Sequence, residues 1–262
     1  MRRTVDDLPA RIAGALGGVL LAERTAGVPA GLRGLLATGS ELAEADGRVP
    51  EGGIPGAGPA IGPPSGLLLT AGLVGLLSPM DRPRLRLAAH RLARGTGADE
   101  GTAMTAVAAA VLAADLCRVD AATALVRLRQ TLLEEAPSAL HARLRPLGWT
   151  EAPADTADPG AALQVAITAL DRSDDLEGAL ATALALAGDD EPATAIGLTG
   201  LLAGIRAVDA DPAAPPDAAV ADIAARLAAV ASAEPPAAPQ LTAGAAAAVI
   251  RRLGGEHGGT RA

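Results

Sequence analysis

Two acidic clusters in this chain could do chemistry. One is Gly188-Asp189-Asp190-Glu191-Pro192, between an Ala/Leu run and a glycine-rich apolar run; the other is Asp99-Glu100, inside GTGADEGT. Clustered carboxylates supply the hard oxygen ligands that Mg²⁺ demands, and a paired-metal site needs several of them to offset its charge. A helix start uses the same residue types more simply, because its partial positive charge and free N–H groups favour acids. Pro192 also fits a first helical turn. His90 shares a helix with Arg84, Arg86, Arg91 and Arg94. Such a face suits a diphosphate, although a solvated basic face is the simpler reading. Gly95, Gly97 and Gly101 miss the dinucleotide-binding spacing by one residue, and no strand pattern precedes them. Cys117 lies beside an apolar helix face and reads as packing. His141 and His257 have no partners nearby in sequence, and neither a nucleophile elbow nor a Cys/His zinc spacing occurs.

The elements that must position these groups are helices. Leu176, Leu180, Ala183, Leu184 and Ala187 recur at helical spacing, as do Leu163, Ile167 and Leu170 before them, and strand alternation is almost absent. Asp81, Asp120 and Asp158 mark helix starts; Gly95, Gly188 and Gly254 mark stops. Roughly ten helices follow from this pattern. Asp46 to Pro64, Ala207 to Pro216 and Gly254 to Ala262 read as loop, connector and polar tail. The segment TAIGLTGLLAGI (residues 194–205) is apolar on all sides, which predicts a central buried helix. Its glycines, Gly197, Gly200 and Gly204, share one face. Each costs about 1 kcal/mol against Ala in a helix interior. Another backbone, or a ligand, is therefore expected very close to that face.

Composition narrows the function classes. The chain has 262 residues, a net charge of −8, no Phe or Tyr and a single Trp. Lys and Asn are also absent, a bias that the codon content of a very GC-rich genome explains. An acidic chain gains little from counterion release, which sets nucleic acid aside as a partner, and bases would find almost no aromatic side chain to stack on. One cysteine allows no intrachain disulfide, which fits the cytoplasm. Asp6, Asp7 and Arg11 interrupt the stretch after Met1-Arg2-Arg3, so it does not read as an export signal. Leu67 to Leu77 is roughly half the length a bilayer span needs, so a buried core helix is expected and no membrane partner.

Three stretches carry a family resemblance: RIAGALGGVLLAERTAG (residues 11–27), GTAMTAVAAAVL (101–112) and ALQVAITALDRSDDLEGALATALALAGDDEPATAIGLTGLLAG (162–204). In order and rough spacing the chain resembles the ADP-ribosylglycohydrolase family over most of residues 8–232, most closely in the last stretch. The resemblance implies an all-α fold around a cleft that holds two Mg²⁺ ions. An early Thr-Asp-Asp-Thr motif and a late Gly-Asp-x-Asp-Thr/Ser motif supply the metal ligands. The implied reaction is hydrolysis of the bond between ADP-ribose and a protein side chain or small acceptor.

The chain departs from that pattern where the chemistry would sit. The early motif falls at Pro63, Pro64, Ser65 and Gly66, none of them acidic, with Ser65 suited to capping. Leu20-Leu21-Ala22-Glu23 stands where the family has its opening Gly-Asp, and Thr105 where the family usually has Arg. The late motif has two registers: one makes Asp189 and Glu191 the metal pair, the other Glu191 and Ala193 with Thr194 retained.

The expectation is an all-α, compact multi-helix orthogonal bundle of the ADP-ribosylglycohydrolase type over residues 1–235, then a C-terminal helix and tail over 236–262. It has lost two-metal hydrolysis and serves as a binding or assembly module. No cofactor is expected, and Mg²⁺ at Asp189 and Glu191 if any ancestral site survives. ADP-ribose, an ADP-ribosylated protein or a protein partner is the expected ligand. Two alternatives stay open: an active Mg²⁺-dependent hydrolase drawing on Asp99, Glu100, Asp189, Asp190 and Glu191, and an unrelated helical interaction protein.

Overall fold

Aspartates preceding apolar runs start several of the helices. The Asp81, Asp99, Asp120, Asp158 and Asp175 side chains accept from the backbone N–H of Arg84, Thr102, Thr123, Ala161 and Gly178, each three residues on. In the computed structural model the described residues are 7–49, 65–135, 158–187, 193–208 and 218–232. Ten helices lie among them: α1 (Leu8–Ala26), α2 (Leu32–Glu44), α3 (Ser65–Leu77), α4 (Arg82–Gly95), α5 (Glu100–Leu116), α6 (Ala121–Glu135), α7 (Pro159–Arg172), α8 (Leu176–Ala187), α9 (Ala193–Ala207) and α10 (Ala218–Ser232). No strand occurs among the described residues, so the protein is all-α, and all of them belong to one compact unit that ends at Ser232.

Helix stops follow backbone chemistry. α1 ends on Gly27 at φ +67°, whose N–H donates to the Glu23 carbonyl. The expected stop at Gly95 is displaced: Gly95 is still helical, and the left-handed residue is Gly97 at φ +80°. Ala98 N–H donates back to Ala93 and closes the end. Gly188 and Gly254, the other expected stops, lie outside the described residues.

Three helices form the centre. α9 is buried from Thr194 to Ile205, as its all-round apolar sequence predicts. α3 and α5 are also buried on nearly every side. α9 packs on α1, α7, α8 and α3, while α3 packs on α5, and α4 and α6 flank α5. Leu, Ala, Val and Ile build this core. The Leu67 to Leu77 stretch is α3, a core helix, and among the described residues no helix is long and apolar enough to cross a membrane.

Candidate functional site

The glycine face of α9 meets backbone rather than a ligand. A Cβ on Gly204 or Gly200 would run into the carbonyl of Gly14 or Gly18 in α1, and one on Gly197 would lie 2.6 Å from the Ala30 carbonyl oxygen. Small residues on both helices let the main chains come this close. Arg11, itself buried in α1, donates to the Ile205 carbonyl at 3.0 Å and ties down the far end of the pair.

This seam places two helix starts together. Gly197, the fifth residue of α9, meets Ala30 in the α1–α2 turn; Gly31 in that turn meets Leu69, the fifth residue of α3. One turn further along, Gly72 of α3 meets Leu201 of α9. α3 and α9 therefore run parallel and begin at the same end of the molecule. One described carboxylate at that end, Glu23, is engaged in capping. Its Oε1 accepts from the backbone N–H of Ala30 at 3.0 Å and Leu32 at 2.9 Å, which caps α2 where Gly31 has no side chain to do so. Sequence reasoning registered Glu23 only as a departure from Gly-Asp. A carboxylate one turn before a helix-to-helix turn was the signal for a cap.

Several sequence-predicted site residues, Asp189, Asp190, Glu191, Pro63 and Pro64 among them, lie outside the described residues, as do His141 and His257. Ser65 opens α3, and Gly66 is buried in its first turn. Thr105 is buried in α5, its hydroxyl donating to the Gly101 carbonyl at 2.8 Å. Asp99 caps α5, and Glu100 faces His90, whose Nε2 lies 3.2 and 3.4 Å from the carboxylate oxygens. The short α4–α5 turn brings that pair together, although each residue read separately in sequence as a solvated helix face. Cys117 is buried at the end of α5.

Two arginine-centred networks went unread in the sequence. Arg206 of α9 donates to the carbonyls of Leu170, Ser173 and Asp175, holding the α7–α8 turn. Burial lowers its guanidinium pKa, and Asp174 and Asp175 oppose that shift. Asp115 of α5 is buried within an otherwise apolar run, with Arg82, Arg118 and Arg127 around it. A single acid inside an apolar helix is the signature of such a site, since a buried charge requires a partner. Among the described residues, no group of three or more His, Cys, Asp or Glu side chains is placed to share a metal ion.

No family model, curated protein or solved structure matches this chain.

Proposed function

We propose that this chain is an ADP-ribosylglycohydrolase-like scaffold without two-metal hydrolysis, acting as a binding or assembly module. The observation that carries the reading is the side-by-side start of α3 and α9. In the family that the sequence resembles, the two carboxylate motifs share two metals, so the segments bearing them must lie together. Here the helices that follow those segments begin at one end, against the α1–α2 turn. The first of the segments is Pro63-Pro64-Ser65-Gly66, without an acid. Two Mg²⁺ ions there would lack the carboxylates that offset their charge. The described acids nearest in role, Glu23 and Asp99, accept backbone N–H groups.

Calorimetric titration of the full chain with ADP-ribose, with and without Mg²⁺, tests this, together with a hydrolysis assay on an ADP-ribosylated protein. The expected result is no Mg²⁺-dependent heat and no released ADP-ribose. Binding that requires Mg²⁺, or turnover, overturns the loss of function and returns attention to Asp189 and Glu191. Pro64→Asp with Ser65→Asp is the complementary gain test, and metal binding appearing only in that variant supports the reading.

A further inference from the structure

Two helices present exposed faces of opposite charge, each with an apolar part. α4 holds five arginines and no acid. Its Leu87, Arg91 and Arg94 stand at i, i+4 and i+7, and all three are exposed, Leu87 to 51%. α8 holds one acid and no cation. Asp174, just before it, shares a face with Glu177, Ala181 and Leu184, and all four are exposed, Leu184 to 38%. Charge is graded along both faces. Arg91 and Arg94 lie toward the C-terminal end of α4, after Leu87; Asp174 and Glu177 lie at the N-terminal end of α8, before Ala181 and Leu184. The helix macrodipole favours each sign at the end where it stands. α4 packs on α5 and α3, and α8 on α9, α7 and α1, so the two faces occupy separate parts of the surface.

We propose that the α4 face docks on the α8 face of a second copy of this chain, with the two helices antiparallel. At 14 and 12 residues they are about 21 and 18 Å long, so the faces match in length. Setting Arg91 opposite Glu177 in that orientation brings Arg94 opposite Asp174 and Leu87 opposite Ala181, one turn from Leu184. One register thus pairs charge with charge and apolar with apolar. A parallel arrangement would set the acids against the apolar part of α4. Each copy carries both faces, so the contact is heterologous and can continue into chains or close as a ring. Two helix faces bury less than the roughly 1,200 Å² of a stable interface, which makes the association weak. Arg94 also donates to the Ala98 carbonyl, and Asp174 also acts on Arg206, so Arg91 and Glu177 are the positions to test. The docking draws on none of the residues weighed as metal ligands, so this test and the Mg²⁺ test can fail separately.

The test is analytical ultracentrifugation of the full chain from about 10 μM to 1 mM, at low and high salt. The average mass should rise above the monomer's with concentration and fall back as salt screens the charge pairs. Arg91→Glu and Glu177→Arg each set like charges opposite one another, and each should weaken association by about tenfold or more. A chain carrying both reversals regains opposite charges at the contact and keeps the net charge of −8. Its association should return to within about threefold of the unaltered chain's. Leu87→Gln should weaken association at either salt concentration, because it removes apolar contact. All three positions are exposed, so the fold tolerates these changes. A chain that stays monomeric across that range overturns the proposal. So does association that the single reversals leave unchanged, or that the double reversal fails to recover.

Discussion

Gly17 and Gly18 are neighbours in α1, yet replacing each by Ala should move stability in opposite directions. Ala gains about 1 kcal/mol over Gly inside a helix. At Gly17 nothing lies within 4 Å of the added methyl, so the gain is kept. At Gly18 the methyl would drive into the Gly200 carbonyl oxygen, lie 2.8 Å from the Gly200 carbonyl carbon and 3.1 Å from the Gly204 Cα. All of these atoms are backbone, so no side chain can rotate away. Relief requires α1 and α9 to separate along their most closely packed stretch. Overpacking a core costs about 1–3 kcal/mol, and more where backbone must move. The net loss for Gly18→Ala is therefore about 2 kcal/mol, after subtracting the propensity gain. In a chain of this size that lowers the melting temperature by about 4–8 °C, while Gly17→Ala raises it by about 2 °C. Thermal and urea unfolding followed by far-ultraviolet circular dichroism measure both. If Gly18→Ala were as stable as Gly17→Ala, the close α1–α9 approach would be refuted, and with it the argument for the end where α3 and α9 begin.

Four further outcomes follow from the side-chain contacts. Glu23→Ala should cost about 2 kcal/mol by removing a charged acceptor from two backbone donors. Hydrogen exchange should then show reduced protection at the Ala30 and Leu32 amides, with Glu23→Gln intermediate. Arg82→Gln should cost about 2–3 kcal/mol in the wild-type background and clearly less with Asp115→Asn, a coupling that a double-mutant cycle reads directly. Asp99→Ala should cost about 1 kcal/mol as a lost N-cap. Glu100→Gln, at an exposed pair with His90, should change unfolding free energy by less than about 1 kcal/mol.

The sequence announces burial far better than it announces partners. An uninterrupted apolar run with glycines on one face can only be an interior helix, and α9 is one. The same glycines do not say whether a backbone or a ligand meets them, because a missing side chain leaves room for either. Helix starts were legible for a related reason: an aspartate before an apolar run acts on N–H groups three residues away, so its role is local. Contacts between segments distant in sequence were not legible. Asp115 finds Arg82 across the α4–α5 hairpin, and Arg206 reaches the α7–α8 turn. Nothing within one turn of either residue names its partner. Asp189 and Glu191, the Mg²⁺ pair if any ancestral site survives, lie outside the described residues.

A core without Phe or Tyr, built from Leu, Ala, Val and Ile, has small side chains to fill space. It gains contact by bringing main chains close, and α1–α9 and α3–α5 both do so through glycine, the latter where Gly75 meets the Ala110 carbonyl. Dispersion summed over such close contacts replaces what aromatic rings would contribute. The glycines, Ala30, Leu69 and Leu201 hold the starts of α3 and α9 at one end. None of these residues is a carboxylate, so on the proposed reading the parts that set the cleft are separate from the parts that performed the chemistry. Several acids facing one another without metal repel, and that repulsion opposes folding. On the proposed reading, neutral residues at Pro63 to Gly66 would remove that repulsion once hydrolysis is no longer selected.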